Sequence, residues 1–279
     1  MEFGICMFAT DYSMQPADLA VAVEERGFDA LFIPDHTHMP ATRDSAFRMG
    51  GEPPPDYSHN LDMFLALAAA AAVTTRIRLG TGICLVVERD PIVTAKEVAT
   101  LDVLSNGRFL FGVGGGWNVE EMANHGTEFT TRWKLLRERI EAMKAIWTQE
   151  EADYQGELVS FEPIWSNPKP RQKPHPPILL GGHGTKALER VVRYCDGWMP
   201  IGPLVRDFAK SIRTLRELAG KVGRDPQAIS VSAMSAPADE KVIASWAEAG
   251  VERVVFPLPP APADKVLPKL DQYAKLLAR

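Results

Sequence analysis

Residues 76–117 read RIRLGTGICLVVERDPIVTAKEVATLDVLSNGRFLFGVGGGW, and this stretch holds two consecutive strand–helix units. Ile77 to Val87 is an apolar run broken by Gly80 and Gly82, the pattern of a strand buried on both faces with glycines where another group comes close. Asp90-Pro91 ends the loop, and Pro91 suits the first turn of a helix. Ile92, Ala95, Val98, Ala99, Val103 and Leu104 recur at helical spacing over 91–104. Asn106-Gly107 stops that helix, and Phe109 to Val113 starts a second buried strand that runs into Gly114, Gly115, Gly116 and Trp117. A strand ending in three glycines presents backbone amides to an anion or a flat ring, with a flexible turn as the alternative reading.

Outward from this block the same alternation continues. Strands are expected at 2–9, 28–34, 178–180, 197–201, 229–234 and 251–257, with helices at 15–26, 61–75, 130–148, 185–194, 205–221, 239–249 and 262–278. Eight such units predict a single α/β domain over 1–279, a (β/α)8 TIM barrel; an open doubly wound sheet is the alternative. Two segments exceed a plain connector: 39–60, with Pro53-Pro54-Pro55, and the proline-rich 150–176, read as an insertion without helical periodicity. Arg137-Glu138-Arg139 reads as a solvated helix face.

Composition narrows the function. Hydrophobic residues make up 46% and charged ones 24%, which is ordinary for a globular chain. A net charge of −5 gives no electrostatic reason to expect nucleic acid or an anionic membrane as partner. Cys6, Cys84 and Cys195 have no paired spacing, so neither a disulfide framework nor a zinc knuckle is indicated. The N-terminus lacks a basic leader and no segment approaches 18 uninterrupted apolar residues, so a cytosolic protein is expected.

In a barrel the chemistry sits at the C-terminal ends of the strands. Those ends carry Asp35, His36 and His38 after strand two; Gly82, Ile83 and Cys84 after strand three; Gly114 to Trp117 after strand four; and Gly181, Gly182, His183 and Gly184 before the helix that follows strand five. Glycines opening a helix suit a phosphate. His36 is the candidate proton carrier, because an imidazole titrates near neutral pH. His36-Thr37-His38 is also the His-x-His pattern of metal-dependent hydrolases, but strands six and eight end in MPIG and PLPP, without ligands. No metal site is expected.

The blocks LGTGICLVVERDPIVTAKEVATLDVLSNGRFLFGVGGGW and PPILLGGHGTKALERVVRYCDGWMP resemble the bacterial-luciferase-like monooxygenase family, and FIPDHTHMP with its long following loop resembles the branch that uses the deazaflavin coenzyme F420. The resemblance implies a non-proline cis peptide at Gly82-Ile83 or Ile83-Cys84 behind the flavin ring. It further implies cofactor contacts at Gly82, Ile83, Cys84, Gly114, Gly115, Gly116 and Trp117, and a phosphate held by Gly181, Gly182, His183 and Gly184. Asp35-His36 would lie beside the reactive face as catalytic residues. The implied activity is hydride transfer between coenzyme F420 and a small organic substrate. An FMN-dependent monooxygenase fed by a partner reductase and a non-catalytic flavin-binding barrel are the alternatives. Pro40 and Trp117 stand where sugar-phosphate dehydrogenases of this branch carry tryptophan and glutamate, which disfavours that activity. Glu120 and Glu121 read as acids at a helix start. Trp117 and Trp198 either line a pocket or pack in the core. The resemblance also implies a homodimer formed through helices of the first half of the barrel.

Overall fold

The computed structural model describes residues 1–47 and 50–277. Eight parallel strands close into a barrel: β1 (Glu2–Cys6), β2 (Ala30–Ile33), β3 (Arg78–Thr81), β4 (Phe109–Val113), β7 (Ile178–Leu180), β8 (Gly197–Trp198), β9 (Ser230–Met234) and β10 (Arg253–Pro257), with β1 sealing against β10. Between them run α1 (Pro16–Glu25), α2 (Met63–Val73), α3 (Pro91–Leu104), α4 (Val119–Asn124), α5 (Arg132–Thr148), α6 (Thr185–Tyr194), α7 (Phe208–Lys221), α8 (Glu240–Glu248) and α9 (Ala263–Ala274). The fold is the TIM barrel expected from the alternation of strands and helices. The closing helix ends before residue 278, which lies outside the described residues, as do positions 48 and 49 of the long 39–60 loop.

Strand alternation divides the core in two. Ala30, Phe32, Leu110, Leu179, Met199, Met234 and Val255 fill the barrel interior. Their neighbours Leu31, Ile33, Phe109, Phe111, Ile178 and Leu180 face the helices and join the larger outer core. Both faces are therefore apolar, as the continuous hydrophobic runs require.

The central block is built as its residues dictate. Asp90 caps α3, accepting from the amides of Ile92 and Val93 at 2.9 Å each, with Pro91 in the first turn. Asn106 (φ 59°) and Gly107 (φ 79°) turn the chain out of α3 in left-handed geometry, and the Gly107 amide bonds the Asp102 carbonyl at 2.8 Å.

Three expectations are corrected. The third strand stops at Thr81 rather than running to Val87: an isolated Cys84–Val113 bridge follows, then a 3-10 turn at Val86–Glu88. These residues are buried under α5, where Arg139 donates to the Val86 carbonyl at 2.7 Å, and apolar content alone does not separate such a segment from a strand. The 150–176 excursion contains an antiparallel hairpin, β5 (Glu151–Gln155) with β6 (Ser160–Trp165), in which Pro163 is tolerated because a two-stranded sheet leaves every strand an edge. Its turn is held by Glu138, whose buried carboxylate accepts from the amides of Leu158 (2.7 Å) and Val159 (3.1 Å). Glu138 is thus a structural anchor rather than part of a solvated face.

Candidate active site

Past the end of β2 the backbone places Asp35 and His36 in different environments. The Asp35 carboxylate is buried and turns toward β3, accepting from the Leu85 amide at 3.0 Å and from the Arg89 guanidinium at 3.0 and 2.7 Å. Asp35 and its bonds raise the Arg89 pKa against the opposing effect of burial. Asp35 therefore fastens two strand ends together and is not the partner of His36.

That partner is Glu121. His36 Nδ1 lies 2.8 and 3.0 Å from the two Glu121 carboxylate oxygens, and the Glu121 side chain is fully buried. The short helix α4 aims this carboxylate inward: Asn118 caps it, accepting from the Glu121 amide at 3.2 Å. With Nδ1 engaged by a carboxylate, Nε2 remains as the ring's other proton-transfer atom. The imidazole packs against Tyr57 at 4.8 Å and Trp117 at 6.2 Å between ring centroids, and Phe47 contacts both at 5.3 and 5.4 Å. Two of these three rings, Phe47 and Tyr57, come from the 39–60 loop.

That loop is latched to α4. Glu120 accepts from the amides of Asp44 (2.8 Å) and Ser45 (3.1 Å), and Ser45 Oγ accepts from the Val119 amide at 3.1 Å. Bonds from Ser45 and Asp44 hold the Glu120 carboxyl down at about 2. The two consecutive acids, read from sequence as helix-start charges, thus have separate tasks: Glu120 holds the loop and Glu121 holds the histidine.

His38 belongs to another network. Asn124 donates to His38 Nε2 (2.9 Å), His38 Nδ1 meets Thr37 Oγ1 (2.9 Å), and Thr37 Oγ1 meets His125 Nε2 (2.8 Å). Both His38 nitrogens are engaged. Among the described residues, no group of three or more His, Cys, Asp or Glu side chains is arranged to hold a metal ion.

The peptide between Gly82 and Ile83 is cis, at the first of the two positions the resemblance implied. The Ile83 side chain occupies the space a Cβ on Gly114 would need and touches the corresponding position of Gly181, so these glycines exist to let Ile83 in. Gly115 lies under Trp133 and Gly116 against Met122, so the Cβ side of each is filled by protein side chains. Cys84 contributes through its backbone, donating to the Gly112 carbonyl (2.8 Å) and accepting from the Gly114 amide (3.1 Å); its thiol is fully buried, and burial pushes its pKa well up.

After β7, Gly181, Gly182, His183 and Gly184 lead into α6. Gly184, at φ 74°, has open space beside it, and α6 begins without a side-chain cap. Its first amides and the positive end of the helix dipole are available to an anion. Two cations gather at Trp133: the guanidinium of Arg190, itself on α6, lies 4.0 Å above the ring, and Arg132 lies 5.5 Å from the same ring and 3.6 Å from Phe129. Burial, then the Arg190 charge, lowers the Arg132 pKa, so the two guanidinium groups reinforce one another's field. Trp198 is core: it is 1% exposed and donates from Nε1 to the Gly182 carbonyl at 2.9 Å, fixing the turn from beneath. The uncapped start of α6 suits a phosphate, and the Ile83 side chain, packed against Gly114 and Gly181, suits the edge or back of a flat ring.

A sequence model of the family described as luciferase-like monooxygenase matches residues 1–266. The chain belongs to that family. An uncharacterized protein of Mycobacterium tuberculosis is 42% identical over 284 residues, covering 100% of this chain and 99% of its own. In three dimensions the barrel is similar to monooxygenase RslO1 from Streptomyces bottropensis (TM-score 0.79, 22% identity, 100% and 99% of the two chains). It is also similar to the coenzyme F420-dependent tetrahydromethanopterin reductase from Methanopyrus kandleri (TM-score 0.76, 19% identity, 98% and 97%). At these identities the structural likeness speaks for the shared barrel. Members of this family are oxidoreductases and monooxygenases, and this chain is read as an enzyme of that kind. Among the described residues, no helix is long and apolar enough to cross a membrane.

Proposed function

We propose that this protein is a coenzyme F420-dependent oxidoreductase that moves a hydride between the deazaflavin and a small organic substrate, with His36 as the proton carrier. The observation that carries this reading is the 2.8 Å contact between His36 Nδ1 and the buried Glu121 carboxylate. The cofactor phosphate is assigned to the uncapped start of α6 with Arg190 and Arg132, and the ring to the surface formed by Ile83 and the glycines that admit it. When bound, the deazaflavin supplies or accepts the hydride at carbon 5.

The chain's own residues supply the rest. Glu121 holds the Nδ1 proton and stabilises the imidazolium, so Nε2 gives a proton to the oxygen of a carbonyl being reduced, or takes one from an alcohol being oxidised. Tyr57, Trp117 and Phe47 exclude water around that atom and favour an uncharged, apolar substrate. The family also supports a second reading, an FMN-dependent monooxygenase working with a partner reductase, since a phosphate cradle accepts either cofactor. For the assembly we propose a homodimer, supported by Leu65 and Leu104, which stand 74% and 60% exposed on α2 and α3.

The test is a His36→Ala variant assayed with reduced and oxidised coenzyme F420 against a panel of ketones and secondary alcohols. The reading expects unchanged cofactor affinity and loss of turnover; equal turnover by both proteins overturns the role of His36.

A further inference from the structure

At the opposite end of the barrel, where the strands begin, the interior opens into a cavity of about 530 Å³. That is the size of a small-molecule site. Leu110 and Leu179 line its inner part, and Arg78, Arg253, Ser230 and Ser232 line its mouth. We infer that this mouth binds a small organic carboxylate, with the carboxylate between Arg78 and Arg253 and the apolar body directed toward Leu110 and Leu179.

The charge balance carries the inference. Arg253 is 7% exposed, pairs with the carboxylate of Glu2, which also lines the cavity, and donates to Ser232 Oγ at 3.0 Å. Glu252, at the rim, has Arg216 at 3.7 Å. Arg78 is different. It donates to the Arg108 carbonyl (3.1 Å) and to Gln172 Oε1 (3.2 Å), and among the described residues no carboxylate comes within ion-pair distance of it. Burial first, then the neighbouring Arg253 charge, lower its pKa, while the charges of Glu2 and Asp102 oppose them from beyond ion-pair distance. A plug that merely closed the barrel would fill the mouth with matched pairs. Here the volume stays open and, among the described residues, Arg78 has no carboxylate at ion-pair distance, which leaves a guanidinium that an incoming carboxylate completes. The apolar inner wall selects an organic acid over an inorganic anion.

The test is isothermal titration of the purified protein with butyrate and, separately, with inorganic phosphate, at low ionic strength. Saturable butyrate binding near one per chain, tighter than phosphate, is expected, with affinity falling about tenfold or more in Arg78→Gln. Ala247→Glu sets a negative charge at the cavity edge from an exposed helix position, and the same loss is expected of it while circular dichroism shows an intact fold. Three results overturn the inference: no saturable binding of butyrate, phosphate binding the tighter of the two, or butyrate affinity unchanged in both variants.

Discussion

Replacing Glu88 with glutamine removes the ionisable proton of a buried acid while keeping its shape. Glu88 is 7% exposed, and neither carboxyl oxygen has a hydrogen-bond partner among the described residues. Burial first, then the charges of Glu121 and Asp35, push its carboxyl from 4.5 up to about 9, against the opposing pull of Arg89 and Arg139. A folded-state pKa above the unfolded one gives a contribution that is complete below about pH 4.5 and is lost as the pH rises toward about 9. Between about pH 5 and pH 8 that loss spans three pH units at about 1.36 kcal/mol each, an upper bound of about 4 kcal/mol. Glu88→Gln does not titrate and escapes it. Urea unfolding of both proteins at about pH 5, 6.5 and 8, at constant ionic strength, measures the difference. The stability gap in favour of the variant should widen by about 2–4 kcal/mol across that range. Parallel pH profiles would refute the reasoning, because they would mean that Glu88 finds a partner for its charge.

Other outcomes follow from the site. Glu121→Gln leaves Nδ1 a neutral partner, so kcat should fall on the order of a hundredfold with little change in cofactor affinity, measured by steady-state kinetics beside a direct cofactor titration. The Glu120 latch, with its carboxyl held down at about 2, is in place above about pH 4.5 and is lost as pH falls through about 2. At neutral pH, Glu120→Ala should speed tryptic cleavage at Arg43 in the released loop; an unchanged cleavage rate would show that the latch does not hold it. Arg190→Gln should weaken a phosphate-bearing cofactor by about tenfold, read as a shift in Kd.

The barrel and the positions of the strand ends were legible because parallel strands buried on both faces and capped helices are local patterns: Asp90-Pro91 and Asn106-Gly107 mark where α3 starts and stops. What escaped was decided between distant elements. Glu121 and Glu120 have the same local explanation as helix-start acids, and only the turn of α4 separates them, one toward His36 and one toward the loop. Asp35 is adjacent to His36 in sequence, yet successive side chains diverge, and it found Arg89 instead. Glu138 looked solvated until the hairpin it anchors was in view. Trp198 was open between pocket and core, and its bond to the Gly182 carbonyl places it in the core.

Fluorescence titration of the purified protein with coenzyme F420 and with FMN, side by side, tests the central claim most directly. Saturable quenching of the deazaflavin is expected at concentrations where FMN does not bind, with loss of most of that affinity in Arg190→Gln. Tighter binding of FMN would contradict it and move the chemistry to oxygen activation with a partner reductase.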